Sequence, residues 1–157
     1  MKSLEKLTSS QAPNSVLLIR LLVGAVFFSE GIQKFLYPAD VGAGRFARIG
    51  LPSPEFLGPF VGSFEIACGA FVLLGLLTRL ATFPLLTVMA VSLYSTKLPI
   101  FLKSGFWKMA HETRTDFSMV MGLLFLLIVG AGEWSLDAWL RKRRRQSSGA
   151  LTPSTPK

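Results

Sequence analysis

Four ionisable residues lie inside apolar stretches of the first half of this chain: Arg20, Glu30 and Lys34 in one, Glu65 in the next. A charge in the middle of a membrane-length helix costs about 2.5–3.5 kcal/mol to insert, so such residues turn inward and find partners. At about 100° per residue, Lys34 falls roughly 40° from Arg20 and Glu30 roughly 80° from it on the same side. The three therefore share one helical face with Gly24, Phe27 and Gly31. Glu30 and Lys34 are four apart and can pair within one helix. Glu65 shares its face with Gly58, Gly62 and Gly69, small residues that let a second helix approach closely. By depth, at about 1.5 Å per residue, Arg20 is separated from Glu65 by near 10 Å, and Lys34 is the easier partner. Two chemistries fit Arg20, Glu30, Lys34 and Glu65. They are clamps that specify how helices pack, or they line a polar pocket for a quinone head group, a proton or a small solute. Spacing alone slightly favours clamps.

The elements that must carry these residues follow from the apolar runs. Half of the 157 residues are hydrophobic and 17% are charged, and mean hydropathy is +0.48. A soluble domain of this size needs more surface charge, so lipid is the solvent. Spans are expected over about 15–36, 55–77, 79–97 and 116–132, giving an all-α, four-transmembrane-helix bundle within residues 15–140. Residues 1–14 are a polar leading segment. The first apolar stretch carries Arg20, Glu30 and Lys34 with no small-residue cleavage site close behind, and reads as a retained span. Thr78 and Arg79 turn the second span straight into the third, with Thr78 as a helix cap, and Pro84 lies within the third. Residues 97–115 read as a polar loop, with Asp116 capping the fourth span. Glu133 to Leu140 form a short amphipathic segment, with Trp134 and Trp139 as interfacial anchors. Residues 141–157 are a basic and then disordered tail.

The net charge of +8 would suggest nucleic acid in a soluble protein. Here the run Arg141 to Arg145 follows the last span directly, as at a cytoplasmic membrane face, so no nucleic-acid partner is expected. The same run can attract acidic lipids. An even number of spans puts both termini on one side, the cytoplasmic side of the inner membrane. Cys68 is the single cysteine and His111 the single histidine. One thiol excludes dithiol exchange within the chain, and one imidazole excludes a bis-histidine haem or a histidine-rich metal site. No metal site, flavin motif or haem motif is present, so a redox role would need a quinone or a partner. The alternative is a non-enzymatic scaffold or small-solute transporter. A homo-oligomer stays open.

Three segments carry a resemblance. LIRLLVGAVFFSEGIQKF over Leu18–Phe35 resembles the opening motif of the DoxX family. FEIACG over Phe64–Gly69 and LGLLTR over Leu74–Arg79 resemble its second span and hairpin, and GAGEWSLD over Gly130–Asp137 resembles its closing motif. The match runs in order over roughly 15–140. It implies a four-helix membrane protein whose charged positions are Arg20, Lys34 and Glu65. DoxX-like proteins are described as subunits of quinone-linked oxidising systems, or as membrane partners of soluble oxidative-stress enzymes. The implied role is therefore a membrane component of a redox or oxidative-stress system, as an accessory subunit if it is enzymatic, with a soluble redox partner and a quinone as the cofactor class.

Overall fold

A computed structural model describes residues 14–149, and every regular element among them is helical. The first long helix, α1, runs Val16–Leu36 and the short α2 runs Ala43–Arg48. The helix α3, Pro54–Leu74, opens with proline in its first turn, where the missing N–H is harmless. It closes on Gly75 in the left-handed region (φ 68°). There the Gly75 N–H donates to the Val72 carbonyl and the Leu76 N–H to the Phe71 carbonyl, a Schellman ending.

α4, Thr78–Ser92, follows at once. It passes through one π-helical turn, Leu93–Lys97, into α5, Leu98–Ser104. Gly105 (φ 79°) then reverses the chain into α6, Phe106–Val129. α7, Leu136–Gly149, closes the described chain.

Two expectations change here. Residues 97–115 are helical on both sides of Gly105 rather than a loop. The charges that made the stretch look like a loop lie on helices, and one of them is neutralised from just beyond it: Lys97 Nζ is 3.1 Å from Asp116 Oδ2 and also donates to the Glu112 carbonyl at 2.7 Å. Asp116 is thus a paired residue inside α6, not a cap. At the other end, the basic segment 141–149 continues α7 instead of forming a tail. The remainder of the expected tail, 150–157, and the leading segment 1–13 lie outside the described residues.

Packing makes a ring. α1 lies against α3, α3 against α4, α4 against α6, and α6 returns to α1, with α2 laid across α3. The core between them is Val23, Phe27, Cys68, Val72, Leu85, Met89, Met119, Leu123 and Leu126. Outside, Leu18, Leu22, Phe56, Phe83 and Ile128 are exposed, while Arg20, Lys34, Glu65, Thr78 and Thr82 are buried. Charge inside and leucine outside is the inverse of a soluble domain and suits hydrocarbon surroundings. Among the described residues three segments are long and apolar enough to cross a membrane: Val16–Leu36, Pro54–Leu74 and Thr78–Ser104. α6 is 24 residues long, but Glu112, Arg114 and Asp116 interrupt its apolar character.

Candidate functional site

The α1–α3 contact is built from glycines. A methyl group on Gly31 would stand 2.7 Å from the Gly62 carbonyl oxygen and 2.8 Å from the Ile66 nitrogen. One on Gly69 would meet the Phe28 nitrogen at 2.7 Å, and one on Gly24 the Leu73 side chain at the same distance. Gly58 serves a different neighbour, its missing side chain leaving room for Ala43 of α2. With the two backbones this close, side chains of modest reach meet across the interface.

Lys34 and Glu65 meet there, Nζ to Oε2 at 2.6 Å, both almost fully buried. The contact is a short, buried ion pair that joins α1 to α3. Glu30 flanks the pair, 4.0 Å from Lys34 Nζ, with its own side chain 45% exposed. Arg45 of α2 is within electrostatic reach of Glu65, as is Glu30. Three of the four charged residues singled out in the sequence therefore form one cluster.

Arg20 is not part of it. It lies fourteen residues from Lys34 on α1, about 21 Å along the axis, and it is only 2% exposed. Its guanidinium donates to four backbone carbonyls. Nε reaches Val72 at 2.9 Å and Nη2 reaches Leu73 at 2.5 Å, both in the last turn of α3. Nη1 reaches Ala131 at 3.1 Å and Trp134 at 2.5 Å, in the segment after α6. The negative end of the α3 dipole and its orphan carbonyls account for a cation here. With four of its five N–H donors engaged, Arg20 acts as a clasp between α1, α3 and the closing segment.

The same end holds residues that the sequence did not single out as a site. Asp137 Oδ2 accepts from the Leu77 N–H at 2.9 Å, and the Asp137 N–H donates to the Gly75 carbonyl at 3.1 Å. Asp137 also accepts from the Thr78 backbone. The cap of α4 thus comes from the far end of the chain rather than from Thr78, whose hydroxyl is buried and unbonded. Leu77, in the left-handed region at φ 47°, is fixed by that bond. Burial pushes the Asp137 carboxyl above the ordinary carboxylate range, opposed by these backbone donors and by Arg141 and Arg20. Ser135 accepts from the Ala138 N–H at 3.2 Å and starts α7. A side chain on Gly75 would strike both the Arg20 guanidinium and Ser135, each at 2.6 Å. Trp134 and Trp139 are 63% and 50% exposed beside this clasp.

The structure thus separates a membrane-buried ion cluster (Glu30, Lys34, Glu65) from a main-chain clasp (Arg20, Gly75, Ser135, Asp137). The order of the closing motif GAGEWSLD was the available signal for the second, since Ser and Asp two apart before a helix are capping residues.

No solved structure matches this chain. An uncharacterized membrane protein of Mycobacterium tuberculosis is 53% identical over 144 residues, covering 88% of this chain and 88% of the relative. A Bacillus subtilis protein provisionally named an oxidoreductase (CatD) is 26% identical, covering 84% and 91%. An uncharacterized protein of Haemophilus influenzae is 29% identical, covering 82% and 84%. The DoxX family matches residues 15–98, which hold both Lys34 and Glu65, and with that match and the mycobacterial relative the chain belongs to the DoxX family of membrane proteins.

Proposed function

We propose that this chain is a four-span membrane component of a quinone-linked redox or oxidative-stress system, and that Glu30, Lys34 and Glu65 form its ligand site. The observation that carries the reading is Glu30. Its side chain is 45% exposed at the rim of an otherwise buried ion cluster, fourteen residues into an apolar span, about 21 Å along it. A carboxylate at that depth faces lipid unless something polar covers it. The cluster is thus closed toward the bundle and open toward the bilayer. It suits a ligand that arrives through lipid and carries hydrogen-bonding oxygens, which describes a quinone.

The residues present fit such a group. Lys34 supplies ammonium protons that a quinone oxygen can accept, and Glu65, 2.6 Å from it, keeps that ammonium charged and in place. A quinone, when bound, supplies two-electron redox chemistry coupled to protons. Lys34 would hydrogen-bond a ligand oxygen, Glu30 would give or take a proton at the lipid side, and Glu65 would hold Lys34 in position. The provisional oxidoreductase name of the Bacillus relative and the redox role implied by the resemblance point the same way. The chain's role is that of an accessory subunit, with electrons exchanged through a soluble partner.

α6 is the fourth span in this reading. It packs between α1 and α4 and contributes Met119, Leu123 and Leu126 to their shared core. Asp116, which breaks its apolar run, is neutralised by Lys97. Four spans return both termini to one side, and the basic run after Leu140 makes that side the cytoplasm of a bacterial inner membrane.

A second reading, a non-enzymatic scaffold or small-solute transporter, is favoured by the tightness of the Lys34–Glu65 contact. Extraction of lipid-soluble cofactors from protein purified in mild detergent separates the two. Stoichiometric quinone in the wild type, lost in Glu30→Gln at an unchanged unfolding midpoint, is the expected result. No quinone in the wild type would shift the assignment to the scaffold or transporter.

A further inference from the structure

A second ligand site lies at the opposite end of the bundle. Leu74, Trp134, Ser135, Leu136 and Trp139 line an open cleft of ≈ 400 Å³ where α3 ends and α7 begins. Four of these five are apolar and stand 40–63% exposed. Leu74 is the last residue of a membrane-length helix, so the cleft opens at the edge of the hydrocarbon. Indoles at that depth mark the headgroup level.

The cleft differs from the rest of the apolar surface in its rim. The Arg143 guanidinium lies over the Trp139 ring, its central carbon 4.2 Å from the centroid. The ring holds the cation by its face and takes up none of its N–H donors as hydrogen bonds to oxygen, which phosphate oxygens can then accept. Among the described residues no carboxylate lies within ion-pair distance of Arg143, while Arg141 faces Asp137 one turn earlier. The support is rigid: Asp137 ties the start of α7 to Gly75 and Leu77, and Ser135 caps the helix.

We propose that this cleft binds one anionic phospholipid, its acyl chain against Leu74, Leu136 and the two indoles and its phosphate on Arg143. Charge complementarity selects an anionic headgroup. The apolar floor beside a span end selects a lipid over a soluble acidic protein, which would leave that floor in contact with acyl chains. The site is independent of the Glu30–Lys34–Glu65 cluster, so neither proposal stands on the other.

Native mass spectrometry of the full chain in mild detergent, titrated with phosphatidylglycerol or phosphatidylcholine, tests it. One tightly held phosphatidylglycerol per chain is expected, at least tenfold preferred over phosphatidylcholine. Arg143→Gln should weaken it roughly five-fold, the equivalent of about 1 kcal/mol per basic residue at a membrane surface. Trp139→Ala should weaken it as well, and Trp139→Phe, which keeps a ring in place, should recover most of the loss. Lys103→Gln with Lys108→Gln, at the far end of the bundle, should leave binding unchanged. Equal binding of the two lipids would overturn the proposal. So would a loss in the Lys103/Lys108 variant matching that in Arg143→Gln, since attraction would then follow total charge and not this cleft.

Discussion

Removing the partners of the Lys34–Glu65 pair, singly and together, separates an interhelical ion pair from two independent residues. Lys34→Met leaves Glu65, 3% exposed, as a carboxylate without its cation. Breaking a buried pair in this way costs about 3–5 kcal/mol. Glu65→Leu leaves Lys34 unpaired, but Lys34 is two residues from the end of α1. Its four-carbon stem can carry the ammonium toward the headgroups, and Glu30 remains four residues away, so the expected cost is smaller, about 2–3 kcal/mol. The double variant removes both charges and fills the space with apolar atoms, a change that ranges from neutral to stabilising by about 1–4 kcal/mol. The coupling energy is then at least about 5 kcal/mol. That is well above the average of about 0.6 kcal/mol for hydrogen bonds between membrane helices, so the two kinds of contact are distinguishable. Unfolding in detergent, followed by circular dichroism for all four proteins, measures it. If the double variant loses as much as the two single variants summed, within about 0.5 kcal/mol, the two residues are independent and the ion-pair account fails.

Three further outcomes follow from the geometry. Arg20→Met leaves four carbonyls without their donor, and should cost about 3–5 kcal/mol and expose α7 to limited proteolysis. Arg20→Lys should recover only part of that, because an ammonium has three donors and no fork. Gly31→Val drives a side chain into the Gly62 carbonyl and the Ile66 nitrogen. It should destabilise the α1–α3 contact by about 1–3 kcal/mol, read as a lowered unfolding midpoint. The raised Asp137 carboxyl means that the folded protein holds a proton more readily than the unfolded chain. Stability from this group is therefore greatest below its unfolded value of about 3.9 and declines as pH rises through the folded value. Unfolding midpoints followed upward from pH 4 should show that slope, and Asp137→Asn should flatten it.

The legible part of the fold was what side-chain period and depth encode. Arg20, Glu30 and Lys34 share a face because 3.6 residues make a turn, and counting rises along two antiparallel spans made Lys34 the easier partner for Glu65 without deciding the pair. What stayed hidden depends on the main chain or on distant segments. Arg20 binds carbonyls, which every residue possesses and no sequence marks. The cap on α4 comes from Asp137, sixty residues beyond Leu77, so the local candidate Thr78 was the natural and mistaken choice. The segment 97–115 was misread because lysine and acid were counted as loop composition, when pairing across the α4–α6 hairpin removes their cost. Residues 141–149 looked like a tail because a basic run has no apolar period, yet α7 is already started and anchored by Ser135 and Asp137.

The Arg20 clasp also sets the order of events in biogenesis. Arg20 enters the bilayer with the first span, but its carbonyl partners on Val72 and Leu73 lie more than fifty residues downstream, and those on Ala131 and Trp134 more than a hundred and ten. At a synthesis rate of about 5–20 residues per second, the nascent chain carries that guanidinium unsatisfied for roughly 5–20 s. During that interval water and headgroups serve it, since Arg20 is the fifth residue of α1 and lies near the membrane surface. Arrival of the closing segment replaces them with main-chain carbonyls. The first residue to need a partner is thus among the last to receive one, and a chain truncated before Ala131 would leave the guanidinium with only the two carbonyls of α3.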